Sequence, residues 1–526
     1  MDKQKSESID YIIDRLIAGE RNLDWLKRKA CKKFGVNLAK NPEILEQFPR
    51  SKLTPEIKLM LLKKPTKTIS GVTPIAVMIK PIGSCNQQCI YCPYTGLAAK
   101  SYVGFEPAAL RARQYHFDPY LQALKRVEQI ESAGHASDKC EVIIMGGTFL
   151  QMPRKYKRSF IKGVYDALNG EKSRTLKDAI KINETTKRRV VGLTIETRPD
   201  VCIHYIDEIL SYGATRVELG VQHPNDSIYK LIHRGHTVQD VKNATKELKD
   251  SAFKVLYHIM PGLPGSDRKK DMAIVKRLFS DQAFKPDMLK IYPTLVIDGT
   301  ELHNMLQRGE YMPYSTEEAA DIISEFYRYI PKYVRVMRIQ RDIPASKINS
   351  GVKNSNLREL VEHQIREKGI VPQEIRYREI RKRAGLSGFE LKRLDYNANN
   401  GKEIFLSYEN DDELIAGFLR LRLPEESNRK EINGKTALIR ELHIYGPEIP
   451  LKVRNFDGTT NNKANGSDDN HAQHHGLGSN LLKEAEDIAI DAGKENMVII
   501  SGVGVREYYR KHGYVNCGPY VSKKLD

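Results

Sequence analysis

Apolar and polar positions alternate on two length scales through the middle of the chain. From residue 75 onward, six short runs rich in Val and Ile fit buried parallel strands, and longer amphipathic segments between them fit helices. This α/β alternation predicts a partial (β/α)6 barrel over residues 71–330, with its functional loops at the carboxyl ends of the strands. The predicted strands are 75–82, 141–146, 190–196, 216–222, 255–260 and 288–293, and the predicted helices are Pro119–Ser132, Tyr156–Leu168, Ile206–Ser211 and Asp271–Ser280.

The first part of the chain has a helical pattern instead. Ser8 to Ala30 is predicted to be helical, because four apolar residues fall on one face, namely Ile12, Ile13, Leu16 and Ile17. Short apolar segments broken by prolines follow, so we expect a small helical region. Its interleaved aromatic residues are predicted to be core side chains rather than base-stacking ones, and they are Trp25, Phe34 and Phe48.

Beyond residue 396 the pattern becomes that of an antiparallel sheet. The predicted strands are Ile404–Tyr408, Leu414–Leu423 and Leu438–Tyr445. The polar stretch 455–470 has almost no apolar residues and is predicted to be a flexible insertion. The turn Gln473–Gly478 then opens an amphipathic helix, and a glycine-containing turn at a helix N-terminus presents backbone N–H groups to a pyrophosphate. We expect residues 397–526 to form a separate domain.

Positive charge is concentrated in two stretches. The formal net charge is +18, which favours a polyanionic partner, although a generally basic enzyme would show the same balance. Residues 21–67 hold 13 Lys and Arg against 4 Asp and Glu, and residues 330–396 hold 16 against 8. We interpret residues 1–70 as a basic helical RNA-binding region and 331–396 as a basic linker, whose charges form either a phosphate-binding surface or a solvated face. The candidate RNA-binding residues are Lys27, Arg28, Lys32, Lys33, Lys63 and Lys64. The arginines at helix-like or turn-like spacing in the second stretch are Arg335, Arg338 and Arg341.

Three of the seven cysteines lie in one loop, as Cys85, Cys89 and Cys92. The spacing C-x3-C-x2-C suits three irons of a four-iron cluster, leaving the fourth iron open for a substrate or cofactor. Structural zinc prefers four ligands, and no nearby His completes the set. Disulfides would leave an odd cysteine, and nothing else in the sequence is typical of a secreted protein.

The chain shows no sign of export or membrane insertion. Met1 to Asp10 is polar and acidic, unlike a signal peptide, and no run approaches the roughly 20 apolar residues of a membrane span. An oxygen-sensitive cluster and few cysteines also favour a reducing compartment. We therefore expect a cytoplasmic protein without a membrane partner.

Polar or glycine-rich breaks occur at one rim of the predicted barrel. They follow or end the successive strands and so predict a single site there. The cysteine loop comes first, followed by Met145–Phe149, Glu196–Pro199, Gly220–Gln222, Pro261–Gly265 and Lys290.

These features carry a resemblance to two known superfamilies. The cysteine spacing after a strand resembles the radical S-adenosylmethionine (SAM) enzymes. The Gln473–Gly478 turn, the strand with Glu441, and Tyr508–Lys511 together resemble the acetyl-CoA-binding core of the GNAT acetyltransferases. A chain that carries both kinds of domain in this order resembles the family of Elongator catalytic subunits, the tRNA carboxymethyluridine synthases. The matching stretches are Pro74–Gly83, Ser101–Arg111, Val142–Phe149, Thr194–Asp200, Arg234–Val238, Lys290–Val296, Gln340–Pro344, Arg440–Gly446 and Ile500–Lys511.

The resemblance implies a tRNA-modifying acyltransferase with a [4Fe-4S] cluster, SAM and acetyl-CoA. A SAM-derived deoxyadenosyl radical would take a hydrogen from the acetyl methyl group. The carbon radical would add to C5 of the wobble uridine of tRNA, and loss of CoA would leave 5-carboxymethyluridine. The implied partners also include an external electron donor, and either a homodimer or Elongator-type accessory subunits.

Matching positions imply roles for individual residues. The cysteines Cys85, Cys89 and Cys92 would bind the cluster, and Lys290 would contact SAM. The implied catalytic residues are Tyr508, Tyr509, Lys290 and Glu441. The implied cofactor-binding residues are Lys139, Gly146, Gly147, Glu441, Leu442, His443, Ile444, Gln473, Gly476, Leu477, Gly478, Ser479, Asn480 and Tyr509, with Lys139 reaching acetyl-CoA from the barrel domain.

The sequence departs from the family pattern in two places. Thr294 and Glu374 stand where family members carry cysteine ligands of a linker zinc, so we predict no cysteine zinc site. The spacing between the first two cluster cysteines is also shorter than is common in the family. Two other hypotheses stay open, a protein-lysine acetyltransferase with a structural radical SAM domain and a tRNA-binding scaffold with a vestigial cluster. The product, a modified base or an acetylated lysine, discriminates between the enzymes.

Overall fold

The computed structural model describes residues 3–62, 71–82, 85, 87–380, 388–445 and 476–526. In these residues a small helical region precedes two seven-stranded sheets. Among them, no helix combines the length and the apolar character needed to cross a membrane. Three features predicted from sequence lie outside the described residues: the 455–470 insertion, Gln473, and the pair Lys63 and Lys64.

The N-terminal region is helical, as predicted, and has its own apolar core. The single helix predicted over residues 8–30 is divided in two, because the Asn22 side chain accepts a hydrogen bond from the Trp25 backbone N–H at 3.1 Å and starts a new helix. The helices are α1 (Lys3–Ile17), α2 (Leu23–Phe34), α3 (Asn41–Gln47) and α4 (Pro55–Leu61).

The core prediction for the three aromatic residues is correct for Phe48, which is 4% exposed, and wrong for Trp25, which is 47% exposed. Phe34 packs against the core and is partly buried. On α2 the buried stripe runs through Leu26 and Ala30, so Trp25 faces outward, where Lys29 Nζ lies 4.4 Å from its ring centroid.

The first sheet is parallel, and its strands lie in chain order. Buried and half-buried side chains alternate along β1 and β2, whereas β4 is buried at almost every position. The strands are β1 (Val72–Met78), β2 (Lys139–Met145), β3 (Arg189–Thr197), β4 (Arg216–Gln222), β5 (Lys254–Ile259), β6 (Met288–Ile291) and β7 (Arg335–Ile339). The helices are α5 (Pro107–Gln114), α6 (Pro119–Ser132), α7 (Arg154–Asn169), α8 (Leu176–Asn183), α9 (Pro199–Cys202), α10 (Ile206–Ser211), α11 (Asp226–Leu231), α12 (Val238–Asp250), α13 (Arg268–Ser280), α14 (Glu301–Gln307), α15 (Thr316–Phe326), α16 (Leu357–Glu367) and α17 (Ile375–Arg378).

The α/β half-barrel is confirmed, with one strand more than the six predicted. β7 lies inside the stretch interpreted as a linker and pairs with β6, so the sheet continues beyond residue 330. The expectation of helix-like or turn-like spacing for Arg335 and Arg338 is wrong, since both lie on this strand. Because these polar side chains interrupt the apolar run, a search for apolar runs did not predict this strand.

The second sheet is mostly antiparallel, with the strand order β13-β14-β12-β11-β10-β9-β8. Its first strand also comes from the predicted linker. The strands are β8 (Glu390–Asn397), β9 (Gly401–Glu409), β10 (Ile415–Pro424), β11 (Thr436–Ile444), β12 (Asn496–Ile499), β13 (Val515–Cys517) and β14 (Tyr520–Lys524), and the helices are α18 (Leu477–Asp491) and α19 (Arg506–Arg510).

The second sheet packs against the amino ends of the first sheet's strands through buried charges. Arg440 donates to both carboxylate oxygens of Asp287, at 2.6 and 2.7 Å, and Asp287 directly precedes β6. Arg422 Nε donates to Asp250 at 2.8 Å, before β5. Buried cations therefore face buried carboxylates where the two sheets meet, while the cysteine loop lies at the opposite end of the first sheet. The four cations are Lys249, Arg420, Arg422 and Arg440, and the four carboxylates are Asp250, Asp287, Glu403 and Glu441.

Candidate active site

The three loop cysteines, Cys85, Cys89 and Cys92, line one cavity of about 520 Å³ at the carboxyl ends of the first sheet. Arg198 Nη1 lies 3.5 Å from Cys85 Sγ, and Arg234 Nη1 lies 3.6 Å from Cys89 Sγ. Guanidinium donors beside thiolates offset negative charge, as cluster ligands require. The donor set therefore fits a cluster held by three sulfurs.

Backbone hydrogen bonds tie the cysteine loop to neighbouring segments. The Ile90 N–H donates to Ile232 O at 3.2 Å, and the Leu302 N–H donates to Ile90 O at 2.9 Å. Lys100 Nζ donates to Gln87 O at 2.5 Å. These anchors fix the loop against α11 and α14, so the cysteines are held by elements distant in sequence.

Arg198 and Arg234 were not singled out as site residues from sequence. Arg198 follows β3 directly and also pairs with Asp200, and Arg234 donates to the Gly220 carbonyl at β4. Both arginines lie near the carboxyl ends of strands, and this position is the feature of the sequence by which they could have been predicted as site residues.

Lys290, an expected SAM contact, lies inside the half-barrel beside two other strands. It forms an ion pair with Glu218, whose Oε2 lies 2.8 Å from His258 Nε2. Burial acts to lower the pKa of Lys290, but the Glu218 carboxylate outweighs it and keeps the amine charged. Lys290 therefore presents a fixed positive charge to the cavity.

Gly146 and Gly147 lie where β2 ends, at the wall of the same cavity. Gly146 has φ +118°, and a Cβ there would lie 2.6 Å from Ile79 Cγ1, so only glycine fits. Its N–H donates to Glu196 at 3.3 Å, and Glu196 also accepts a 2.7 Å bond from the Tyr102 hydroxyl. Gly147 lines the cavity with open space around it, which permits close approach of a ligand.

The second sheet contains a cleft between two strands that diverge. β11 and β12 pair in parallel over Thr436–Ile439 and Asn496–Ile499. In the described residues, β11 then continues through Glu441–Ile444 paired only with β10. α18 begins at this cleft after Gly476, which has φ +73°. The free amides of its first turn and the unpaired edge of β11 make a site suited to an anionic, extended ligand.

Glu441 faces the half-barrel from this cleft. Its Oε2 accepts a 2.8 Å hydrogen bond from Arg420 Nε. Burial acts to raise the pKa of Glu441, but Lys254 and Arg420 outweigh it and keep the carboxyl ionised. Lys254 is the first residue of β5, so Glu441 meets the amino end of the first sheet.

Tyr508 and Tyr509 lie on α19, next to the start of α18. The Tyr508 hydroxyl oxygen lies 2.9 Å from the place a Cβ on Gly478 would take. Tyr509 is 6% exposed and packs edge-on against Tyr508, with ring centroids 5.3 Å apart. Burial raises the pKa of both phenols, so each carries its proton at neutral pH.

Charged side chains connect the two ends of the half-barrel. Arg216, the first residue of β4, pairs with Glu141 at 2.5 Å and lies 3.7 Å from Glu218. Two residues along the strand, Glu218 reaches Lys290 at the cavity. These pairs therefore run from the first residue of β4 to the cavity that contains the cysteines.

The position of Lys139 is compatible with its expected role at the domain junction. It begins β2 and is paired in register with Arg189 of β3. A Cβ on Gly504, from the second domain, would lie 2.3 Å from Arg189 Cβ, so the domains touch beside Lys139.

Of the six candidate RNA-binding residues, the four that the structure describes fall on α2. Arg28, Lys32 and Lys33 are exposed, while Lys27 is half-buried and donates to Asn41. In the described part of the second basic stretch, Arg335 is engaged internally, because it donates to Glu379 and to the Tyr445 hydroxyl, both at 2.6 Å.

Comparisons with known proteins agree with this geometry. Residues 79–278 match the radical SAM superfamily, and residues 286–367 match the radical SAM C-terminal domain. The tRNA uridine(34) acetyltransferase of Methanocaldococcus jannaschii is 45% identical over 98% of this chain and 97% of its own length. The Elongator complex protein 3 of Homo sapiens is 39% identical over 96% and 93%.

A solved structure matches most of this arrangement. It is the archaeal Methanocaldococcus infernus Elp3 with an N-terminal deletion (1–46), with a TM-score of 0.75 and 45% identity. The match covers 87% of this chain and 100% of that one. With relatives this similar over nearly the full length, this chain belongs to the family of tRNA uridine(34) acetyltransferases and Elongator complex protein 3.

Proposed function

We propose that this protein converts the wobble uridine of tRNA into 5-carboxymethyluridine, using acetyl-CoA and SAM. One observation carries the proposal. The cleft between β11 and β12 faces the amino end of the same half-barrel whose carboxyl end gathers the three cysteines. An acetyl group held in that cleft and a radical formed at the cysteines would then approach the same half-barrel from its two ends.

The carboxyl end of the half-barrel would hold the cluster and SAM. When bound, they would supply a radical able to break an unactivated C–H bond. Cys85, Cys89 and Cys92 would hold the cluster, with Arg198 and Arg234 offsetting its negative charge. Lys290 offers an ammonium to an anionic group of SAM, and Glu218 fixes its direction.

The cleft of the second domain would hold acetyl-CoA. The first turn of α18 and the backbone of Glu441–Ile444 present amides to the phosphates and the pantetheine arm. Tyr508 and Tyr509 stay protonated at neutral pH, so a phenol there can donate a proton or a hydrogen bond to a departing thiolate. Lys139 would contact acetyl-CoA from the barrel side.

The proposal is tested by the product. Purified protein, tRNA, SAM and acetyl-CoA are combined under anaerobic reducing conditions, and the nucleosides are analysed by mass spectrometry. Wild type should form 5-carboxymethyluridine. Cys89→Ala should form none while still binding acetyl-CoA, and the matched variant Cys31→Ala, at a half-buried cysteine far from the cavity, should be active.

A second pair of measurements separates the two cofactor sites. Tyr509→Phe should slow turnover while iron content stays at the wild-type value of about four per chain. The triple alanine variant of the loop cysteines should lose iron and SAM cleavage together. Acetylated lysine in place of a modified base, or an active Cys89→Ala variant, would favour a protein-lysine acetyltransferase instead.

A further inference from the structure

The first sheet is open along β1, and two helices supply side chains to that edge. The Met78 N–H donates to Gln122 Oε1 at 2.9 Å, and Gln122 Nε2 donates back to Met78 O at 3.1 Å. Two residues earlier on β1, Ala76 O accepts a hydrogen bond from Arg111 Nη2 at 2.9 Å. These contacts satisfy free backbone groups that an edge strand would otherwise expose. The helices α5 and α6 therefore frame the side opening of the half-barrel.

Two arginines meet at this opening, Arg111 on α5 and Arg126 on α6. Arg126 follows Gln122 by four residues, so both project from the same face of α6 toward β1. Both arginines line the cavity that contains the three cysteines. Burial lowers the pKa of Arg111 to about 10, and the charge of Arg126 contributes to the same shift. The two positively charged guanidinium groups therefore lie close together in a half-buried position.

In the part of the chain that the structure describes, the hydrogen bonds of both arginines go to neutral groups and not to carboxylates. Arg111 Nε is buried there without a hydrogen-bond partner, and Arg126 Nη1 donates only to the neutral amide of Gln129, at 2.7 Å. Three other cations of the same cavity face acids of this chain, in the pairs Lys290 with Glu218, Arg198 with Asp200 and Arg338 with Asp342. The remaining three, Lys100, Arg234 and Arg341, donate to backbone carbonyls. The two guanidinium groups at the opening are therefore left without an anionic partner among the described residues.

We propose that Arg111 and Arg126 bind a backbone phosphodiester of the RNA, next to the nucleotide whose base enters the cavity. The proposal rests on the proposed function, in which that base is a uracil. A base must leave its stack to reach a radical formed at the cysteines. Its sugar and flanking phosphates then stay at the mouth, where a guanidinium fork can take two phosphate oxygens at once.

CoA also carries phosphates, but its predicted cradle is elsewhere. The start of α18 and the open edge of β11 lie at the amino ends of the first sheet's strands, in the second domain. The arginine pair lies along the side of β1, in line with its middle residues. An RNA phosphate is therefore the better fit for this opening.

The test uses Arg126→Gln in the full-length protein, with Lys125→Gln as the matched control. Lys125 is the preceding residue on α6, is part-exposed, and pairs with Glu128 at 2.8 Å. Both variants lose one positive charge from one helix. Arg126→Gln should bind tRNA about tenfold more weakly, as expected for loss of one charge-assisted hydrogen bond, and its salt dependence should fall by about one counterion. Lys125→Gln should bind tRNA like wild type.

A modified RNA makes the test specific for the phosphate. An anticodon stem-loop is prepared with uncharged methylphosphonate linkages on either side of the wobble uridine. Wild type and Lys125→Gln should bind it about tenfold more weakly than the normal stem-loop, and Arg126→Gln should bind both equally. Arg126→Lys, which keeps the charge but not the fork, should recover part of the affinity.

Several outcomes would overturn the inference. They are equal tRNA affinity of Arg126→Gln and Lys125→Gln, or equal sensitivity of every variant to the methylphosphonates. Weaker acetyl-CoA binding by Arg126→Gln with unchanged tRNA affinity would assign the site to CoA. If wild type modifies the uridine while these results appear, the proposed function stands and only the arginine site is wrong. If wild type neither binds nor modifies tRNA, the proposed function itself fails.

Discussion

At the scale of single residues, Glu374 shows how a buried carboxyl holds the connection between the two sheets. It stands where family members are expected to carry a zinc ligand, and here its Oε2 accepts the N–H groups of Val336 and Arg376, each at 2.9 Å. Its other oxygen is buried without a hydrogen-bond partner among the described residues. Burial therefore raises the pKa of Glu374 to about 6.

This raised pKa makes stability depend on pH in one direction. The folded state holds the proton more tightly than the unfolded state, where the ordinary pKa is 4.5. The stabilising effect is complete below pH 4.5 and is lost as pH rises through about 6, which corresponds to about 2 kcal/mol. Glu374→Gln should remove this dependence, because an amide does not titrate, and its oxygen can still accept both N–H groups.

The measurement is denaturant unfolding of Glu374→Gln and wild type at pH 4.5 and pH 8. The variant should gain up to about 2 kcal/mol relative to wild type on going from the lower to the higher pH. Glu367→Gln, at an exposed carboxyl of α16, is the control and should show no such gain. An identical difference at both pH values would contradict the prediction.

At the scale of elements, the start of α18 depends on the space above Gly478. A Cβ there would lie 2.9 Å from the Tyr508 hydroxyl oxygen, so a side chain at Gly478 must displace that ring. Gly478→Val should therefore weaken acetyl-CoA binding by about tenfold or more, which corresponds to about 1.4 kcal/mol. Calorimetric titration measures it. Gly434→Val, with nothing within 4 Å of its Cβ, should bind normally.

The basic face of α2 yields a second prediction at this scale. Arg28, Lys32 and Lys33 are exposed, so charge reversal of all three should weaken binding of every tRNA and flatten its salt dependence. Filter binding over a series of salt concentrations measures both. Charge reversal at the exposed Lys172 and Lys177, on the outside of the half-barrel, is the control. Unchanged affinity of the α2 variant at low and moderate salt would show a merely solvated face.

Elements with strong apolar patterns could be predicted from sequence, and those with polar patterns could not. α6 begins and ends at the predicted residues, because Asp118 caps it and its apolar stripe has helical period. β7 was missed because Arg335 and Arg338 interrupt its apolar run. The cysteines were found from local spacing, whereas Arg198 and Arg234 reach them only after folding brings distant loops together.

At the scale of the whole molecule, the charges between the sheets couple the two domains. Asp287 is fully buried between Arg440, Arg420 and Lys249, which belong to both sides of the junction. Asp287→Asn should destabilise the protein by about 3–5 kcal/mol, since it leaves several buried cations without their counterion. Asp321→Asn, at a half-exposed ion pair, should cost about 1 kcal/mol or less.

Thermal unfolding of Asp287→Asn should also tell whether the domains unfold together. Wild type should show one transition for both sheets, measured by far-ultraviolet circular dichroism for the whole fold and by loss of iron absorbance for the first sheet. In the variant the transition should move to lower temperature for both probes. Separate transitions already in wild type would contradict the coupling.

The docking of the second sheet also limits how such a protein can evolve. The second domain covers the amino end of the seven-stranded sheet through these buried pairs. Arg440 and Asp287 lie on opposite sides of this domain junction. Replacing either residue alone would therefore leave the other one buried without its counterion. Recombination with an unrelated radical SAM or acetyltransferase domain would break the same pairs. The two halves are therefore inherited as a unit, and chimeras should fold only when both partners of each pair come from the same parent.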